Sequence, residues 1–436
     1  MDSVGSHFDT IVAPITAPGR AAVAAVRVSG PEAYRIARAV FLSLPAEPEP
    51  RKALYGRYAF GDDGLALPFE EGASYTGEPA VELFLHGSPA AVRLLVDGCR
   101  AAGARDAEPG EFTLRAFANG RLDLSQAEAV AEVVGAQTGA HVKAAGAQLA
   151  GALTRALTPA LTRLDEVIVR LEAGLDFSEE IGPHDPLELA ASLESALAEV
   201  AEVRKWERPA ALLRDGLRVA ILGRPNAGKS SLFNAIAGSD RAIVTDIPGT
   251  TRDVLEATID VRGVPVTLFD TAGLREDPDE VEAIGIARAR SAVKRAHLVL
   301  YVFDCRAGLT AEDSALLAVI QDPVVVAAKA DLPHQPTQHL ETSSVTGLGM
   351  SQLLQRFVGL SECLELPFLL NARHAGCLSE AAKGLEDGIA ALRLDATPDL
   401  VLPALYQASG ALRQILGLGV APDVIEQIFA RFCIGK

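Results

Sequence analysis

Nine residues, GRPNAGKSS from Gly223 to Ser231, constrain the fold of this 436-residue chain more than any other stretch. They fit G-x-x-x-x-G-K-[ST], with Gly223, Gly228, Lys229 and Ser230 in the fixed places. An apolar run (Leu217 to Leu222) precedes them and a helix-compatible run (Leu232 to Ala237) follows. Strand, glycine-rich turn and helix is the context in which this motif wraps a phosphate. Glycine lets the backbone come close, because no Cβ intervenes, and free N–H groups at the helix start point at the anion. Asn226, Ala227, Gly228, Lys229, Ser230 and Ser231 are therefore candidate nucleotide-binding residues. Lys229 would reach the β- and γ-phosphates, and the Ser230 hydroxyl would ligate Mg2+.

Three downstream segments bear on which nucleotide is bound. Asp270-Thr271-Ala272-Gly273 follows the apolar strand Val264 to Phe269, placing a carboxylate to act on Mg2+ and a glycine N–H to sense the γ-phosphate. Gly249-Thr250-Thr251-Arg252-Asp253 lies in a polar loop whose threonine can close over Mg2+. Lys329-Ala330-Asp331 follows the strand Val324 to Ala327, where the Asp331 carboxylate can accept both N1–H and the 2-amino group of guanine. Ser343-Ser344 sits where a last loop would support the base. Order and spacing together resemble the translation-factor-like GTPases, which implies GTP.

Two positions depart from that pattern. The guanine loop of such GTPases reads N-K-x-D, but Ala328 holds the Asn place. One lost hydrogen bond costs roughly 0.5–1.5 kcal/mol, so weakened GTP binding is expected, with guanine preference kept by Asp331. Leu274 stands where Ras-like proteins carry the water-orienting Gln. The carboxylates from Asp277 to Glu282 are near enough to supply a catalyst, although on composition alone DPDEVE is a solvated acidic loop. Arg252 and Arg275 are available, but no arginine finger is identifiable.

Five segments then carry a more specific likeness: DTIVAPITAPGR (Asp9 to Arg20), EPGEFTLRAFANGRLDLSQAEAV (Glu108 to Val130), TDIPGTTRD (Thr245 to Asp253), DTAGLRE (Asp270 to Glu276) and FCIGK (Phe432 to Lys436). They resemble the tRNA-modification GTPase family MnmE (TrmE). The resemblance implies an α/β P-loop G domain inserted into an all-α helical domain, preceded by an α+β folate-binding and dimerisation domain. It implies a GTP hydrolase that forms a homodimer and joins the flavoprotein MnmG (GidA) in a heterotetramer or larger complex. Together they would modify carbon 5 of the wobble uridine (position 34) of certain tRNAs, with 5-formyltetrahydrofolate or a related one-carbon tetrahydrofolate as donor. Hydrolysis would be activated by K+ at the contact of paired G domains.

Carried over by position, the resemblance implies that Asn226, Thr245, Ile247 and Thr250 ligate K+ while Ser230 and Thr251 hold Mg2+. The nucleotide loop would run through Thr245, Asp246, Ile247, Pro248, Gly249, Thr250 and Thr251 to Asp270, Thr271, Ala272 and Gly273, with Lys329 and Asp331 at the base. Glu282 would position the hydrolytic water, which answers the question left by Leu274. Arg27, Glu82, Arg121 and Lys436 would form the folate site, the bases facing carboxylates and the Glu facing a pterin edge. Without the family, Arg27 and Glu82 are ordinary surface charges. Cys433 would act in the uridine chemistry; taken alone, such a cysteine is more often a small buried hydrophobe.

Composition sets the remaining expectations. An apolar content of 49% supports large cores, and the five scattered cysteines lack any C-x-x-C pair, which points to a reducing cytoplasm. The absence of a signal peptide and of an apolar run near 18 residues points to a soluble, non-membrane protein. A net charge of −17 speaks against a nucleic-acid partner, since such binding rests on Lys and Arg neutralising phosphates. A tRNA would then need a local basic surface or a partner to hold it. A GTP-controlled ribosome-assembly switch of the Era type is the rival reading; its KH module would need a GXXG clamp, which Gly417-Leu418-Gly419 does not fit.

Expected boundaries are 1–118 for the α+β part, 119–212 and 366–436 for the helical parts, and 213–365 for the G domain. Asp62-Asp63-Gly64 is expected to turn. Ser125-Gln126-Ala127-Glu128 is expected to box the start of a long helix, which Pro159 would kink or end.

Overall fold

The computed structural model describes residues 9–176, 185–238, 242–243, 255–270, 296–318, 320–358 and 365–436. The chain divides into two compact units, one of Met1–Ala131, Gln148–Ala201 and Arg373–Lys436, the other of Glu132–Ala147 and Glu202–Ala372.

The first unit opens on strands β1 (Ile11–Pro14), β2 (Val23–Ser29), β3 (Leu54–Arg57), β4 (Asp63–Phe69), β5 (Ala80–His86) and β6 (Arg105–Asp106). They form one sheet in the order β3-β4-β5-β2-β1-β6. Helices α1 (Ala33–Val40) and α2 (Pro89–Ala101) cover one face, over a core that includes Val26, Val28, Ile36, Val40, Phe41, Leu83 and Leu95. Side chains alternate between the faces of a strand. Val26 and Val28 of β2 and Val81, Leu83 and Leu85 of β5 are buried, so Arg27 and Glu82 belong to the other face. The antiparallel register sets Arg27 opposite Glu82. The turn expected at Asp62-Asp63-Gly64 falls earlier, where Gly61 has φ +99°; Asp63 and Gly64 already belong to β4.

Helices α3 (Glu111–Ala118), α4 (Leu124–Gly135), α5 (Gly139–Leu149), α6 (Ala152–Asp176) and α7 (Pro186–Arg204) follow. The single long helix expected from Ser125 is thus three. Gly151, at φ +82°, takes the left-handed turn that separates α5 from α6. Pro159 lies inside α6 without ending it. The capping box also differs: Asp123 Oδ1 accepts from the Gln126 N–H at 2.8 Å while Gln126 Oε1 accepts from the Asp123 N–H at 2.9 Å.

The second unit adds helix α8 (Glu207–Asp215), strand β7 (Leu217–Leu222) and helix α9 (Lys229–Ala237). Strands β8 (Ala242–Ile243), β9 (Leu255–Val261), β10 (Val264–Asp270) and β11 (Leu298–Asp304) come next. Helix α10 (Ala311–Leu317), strands β12 (Val324–Ala328) and β13 (Leu340–Glu341) and helix α11 (Met350–Val358) complete it. The sheet order is β13-β12-β11-β7-β10-β9-β8. Neighbouring pairs from β13 through β10 run parallel, whereas β9 is antiparallel to β10. Arg262 and Gly263, both at positive φ (+55° and +91°), make the tight β9–β10 turn. One face of the sheet carries Val219, Ile221, Leu268, Leu300, Val302 and Val326 against Leu232, Phe233 and Leu353. The other carries Ala220, Leu222, Phe269 and Tyr301. Burial on both faces is why β7 is a continuous apolar run from Val219 onward.

The chain then returns to the first unit through α12 (Ala372–Arg393), α13 (Pro398–Leu416) and α14 (Pro422–Phe429). Among the described residues no helix is long and apolar enough to cross a membrane.

Candidate functional site

In the second unit β7, β10, β11 and β12 run parallel, so the loops leaving their C-terminal ends gather at one edge of the sheet, where ligands of open α/β sheets sit. The phosphate-binding loop leaves β7 at Gly223, whose φ is +145° and whose added Cβ would lie 2.0 Å from the Val302 carbonyl oxygen of β11. Only glycine fits that approach. Asn226 (φ +61°) and Gly228 (φ +103°) turn the chain so that Gly228 takes the N-cap position of α9. Lys229 is 8% exposed and its Nζ donates to the Arg224 carbonyl at 2.7 Å, spanning the loop. Arg224 is held in turn by Thr310 Oγ1 at 3.0 Å and by Glu312 at 3.1 Å, at the start of α10. Ser230, the Mg2+ candidate, is exposed on the first turn of α9, and Asn226, the K+ candidate, is exposed on the loop.

The segment after β12 faces this loop. Lys329, at φ +65°, donates from Nζ to the Asn226 carbonyl at 2.7 Å and to Asp304 Oδ2 at 2.9 Å. Asp331 accepts from the Ser343 hydroxyl at 2.6 Å, while Ser343 Oγ accepts from the N–H groups of Val345 and Thr346. A fully buried serine thus orients the carboxylate that sequence reasoning assigned to guanine. Ala328 presents only a methyl, and a Cβ added to Gly228 would lie 3.2 Å from it. The Asp304 carboxyl is held well below the usual range by hydrogen bonds from Arg306 and, against the cost of burial, from Lys329.

Asp270 ends β10 with its backbone paired to Ile221, two residues before the phosphate loop. Thr245, Asp246, Ile247, Pro248, Gly249, Thr250, Thr251, Thr271, Ala272, Gly273 and Glu282 lie outside the described residues.

A second constellation occupies the first unit. Arg27 Nε and Nη2 both donate to Glu82 Oε1, at 3.0 and 2.8 Å, with side chains 12% and 17% exposed. The guanidinium lies 4.6 Å from the centroid of the Tyr75 ring and 5.3 Å from that of Phe112. Arg121 is exposed and packs its stem beside Gly77, two residues from Tyr75; a Cβ added to that glycine would lie 3.1 Å from Arg121 Cγ. Lys436 follows Gly435, whose added Cβ would lie 2.1 Å from the Pro14 carbonyl of β1, and Pro14 is paired with Val26. Arg27 and Glu82 are therefore in contact, Arg121 reaches the segment that carries Tyr75, and Gly435, next to Lys436, backs onto Pro14 of the neighbouring strand.

Cys433 is exposed, its carbonyl accepting from the Gly110 N–H at 3.5 Å and the Lys436 N–H at 3.3 Å, so the alternative of a buried hydrophobe does not hold. Sequence reasoning missed Tyr75, Phe112 and Asp304. In a chain with 5% aromatic residues, Phe112 inside the family segment Glu108 to Val130 was an available signal, whereas Tyr75 lies outside every such segment. Asp304 ends an apolar strand just as Asp270 does.

Comparison with known proteins adds to this geometry. Residues 10–121 match the family described as GTP-binding protein TrmE N-terminus, and residues 124–433 match the MnmE helical domain. The tRNA modification GTPase MnmE of Nitrosospira multiformis is 40% identical over 99% of this chain and 100% of its own length. The chain belongs to the MnmE family. The protein of that name from Symbiobacterium thermophilum is 41% identical over 98% of this chain and 99% of its own. That from Synechococcus elongatus is 39% identical over 99% and 100%. These matches extend over both units, so the family assignment does not rest on the phosphate loop alone.

Proposed function

We propose that the chain is a GTP hydrolase serving tRNA modification, acting with a flavoprotein partner on carbon 5 of the wobble uridine. The observation that carries this reading is the juxtaposition of two loops on one sheet edge, Gly223 to Ser230 and Ala328 to Asp331, joined by the Lys329–Asn226 contact, in a member of the MnmE family. The second unit supplies the phosphate grip through the Gly228 helix N-terminus and Lys229, and base selection through the Asp331 carboxylate that Ser343 orients. Phosphoryl transfer needs positioning and charge compensation more than covalent chemistry. Ser230 and Thr251 would hold Mg2+, and Asn226, Thr245, Ile247 and Thr250 would hold K+; the cations supply positive charge against the leaving phosphate. Glu282 would orient the water.

The first unit fits a folate. Arg27 and Glu82 form a half-buried ion pair flanked by two aromatic rings, a donor, an acceptor and flat apolar surfaces for a pterin. Arg121 and Lys436 add cations for its carboxylates. A tetrahydrofolate bound there supplies one-carbon chemistry. The exposed Cys433 thiol is our candidate for the uridine step. The interruption of the first unit by the second along the chain supports a G domain of residues 213–365 set within helical parts of 119–212 and 366–436, after a folate-binding domain of 1–118. We place the protein in the cytoplasm as a homodimer that joins MnmG.

Deleting the gene and digesting bulk tRNA for nucleoside mass spectrometry tests the reading. Loss of 5-substituted wobble uridines, restored by the intact gene but not by Cys433→Ser, is the expected result. Unchanged uridines would overturn it.

A further inference from the structure

Ala328 leaves a specific gap in the second unit. Its methyl points at the phosphate loop, 3.2 Å from where a Cβ on Gly228 would lie, and carries no polar atom with which to bind it. The polar cross-link made here is the Lys329 amine on the Asn226 carbonyl, at 2.7 Å. A lysine on a flexible four-carbon stem keeps such a position only if something fixes it. Asp304, at the end of β11, does so: its carboxylate accepts from the same amine at 2.9 Å, with the lysine side chain 29% and the aspartate 16% exposed. The adjacent Cys305 holds the backbone of the same loop, its N–H donating to the Ala328 carbonyl at 3.0 Å and its Sγ to the Lys329 carbonyl at 3.3 Å. Lys329 sits at φ +65°, a conformation that a side-chain-bearing residue holds only when its surroundings over-determine it. Side chain and both flanking carbonyls are thus gripped from residues 304 and 305.

We propose that Asp304 is a positioning residue that stands in for the amide missing at Ala328, bracing the purine-recognition loop against the phosphate loop through Lys329. The inference rests on the reading of this unit as a guanine-nucleotide domain. An Asn in an N-K-x-D loop would make the brace directly; here an ion pair makes it at one remove. The two arrangements are interchangeable in effect, so each should compensate for loss of the other.

That exchange is the test. Dissociation of methylanthraniloyl-GDP is followed by stopped flow on the full chain carrying Asp304→Ala, Ala328→Asn, or both, beside the unaltered protein. Asp304→Ala should bind about tenfold more weakly, the weight of a hydrogen bond to a charged group, with Ala328→Asn in the same chain restoring the affinity. A purely structural loss would not be recovered by an amide at residue 328. Asp304→Leu, of similar size but with no acceptor for the Lys329 amine, replaces the alanine variant if that one melts early. Unchanged affinity in Asp304→Ala or Asp304→Leu overturns the proposal, as does a double variant no tighter than the single. Equal affinity of the unaltered chain for the ADP and GDP probes would instead overturn the guanine reading, and the inference with it.

Discussion

Replacing Glu128 by Gln should destabilise the first unit by about 3 kcal/mol at neutral pH, and the structure shows why. Glu128 is 9% exposed, beside a His374 that is 0% exposed. Oε2 contacts His374 Nε2 at 2.7 Å and Arg373 Nη2 at 2.6 Å, and Oε1 accepts from Arg373 Nε at 2.9 Å. Burial pushes this carboxyl up, but the hydrogen bonds and charge of His374 and Arg373 outweigh it and bring it from 4.5 to about 2. At 1.36 kcal/mol per unit, that differential is worth about 3 kcal/mol, within reach of the ~3–5 kcal/mol cost of breaking a buried pair. The position matters for the fold. Glu128 lies just before the chain first leaves this unit, and Arg373 is the first residue after its last return. In a unit of this size ~1 kcal/mol moves the midpoint by about 2–4 °C, so a loss of about 6–12 °C is expected in its calorimetric transition. Because the carboxyl is depressed in the folded state, its contribution is complete above the unfolded value and is lost as pH falls through about 2. The gap between wild type and Glu128→Gln should narrow as pH falls below about 4.5. A drop under about 2 °C at pH 7, too small for ~1 kcal/mol, would refute the reasoning, as would a gap that widens in acid.

Three further predictions concern the sites. Gly223→Ala sets a methyl 2.0 Å from the Val302 carbonyl at φ +145°, so guanine-nucleotide binding should be lost and the second unit should melt earlier; GDP titration at wild-type affinity would contradict this. Arg27→Lys keeps the charge but forfeits the two-pronged contact with Glu82 and the face-on packing over Tyr75. Calorimetric titration with 5-formyltetrahydrofolate should show binding weakened by about tenfold, with GTP turnover unchanged; undiminished folate affinity would remove Arg27 from that site. Glu282→Ala should bind GTP normally and slow single-turnover hydrolysis by at least about a hundredfold, the low end for a group that manages a proton in the transition state. Turnover at the native rate would show that another residue handles the water.

Much of the candidate phosphate and purine site could be proposed from the sequence because its residues are local. Gly223, Gly228 and Lys229 are fixed by the path of one loop, and the carboxylate of Asp331 follows its strand by a short step. What the sequence could not disclose were contacts made across strands. Asp304 meets Lys329 from 25 positions away, and only the parallel pairing of β11 with β12 brings Asp304 beside Ala328. Arg27 and Glu82 are separated by 55 positions. Their alternation with buried neighbours marks the face each occupies, but register decides that they meet, and register is a property of the folded sheet.

The start of α4 shows how a local rule fails when two versions of it overlap. Asp123-x-x-Gln126 and Ser125-x-x-Glu128 both satisfy the capping-box pattern, two residues apart. Their local worth is similar, about 1 kcal/mol for the cap, so propensity leaves the choice open. Glu128 settles it, because a carboxylate turned back to cap the helix cannot also meet Arg373 and His374 inside the unit. The buried ion contacts outweigh the cap, Glu128 faces inward, and the box passes to Asp123 and Gln126. Ser125 then donates to Asp123 Oδ1 at 2.8 Å, and Thr154 from the next-but-one helix donates to the other oxygen. The helix start is therefore set by a charge 245 positions away along the chain. On that account Glu128→Gln should leave the Asp123–Gln126 box in place while loosening the α4–α12 contact. In hydrogen exchange the Gln126 N–H should stay protected as the interior of α12 opens; early exchange at Gln126 would mean that the cap and the ion cluster are one cooperative unit.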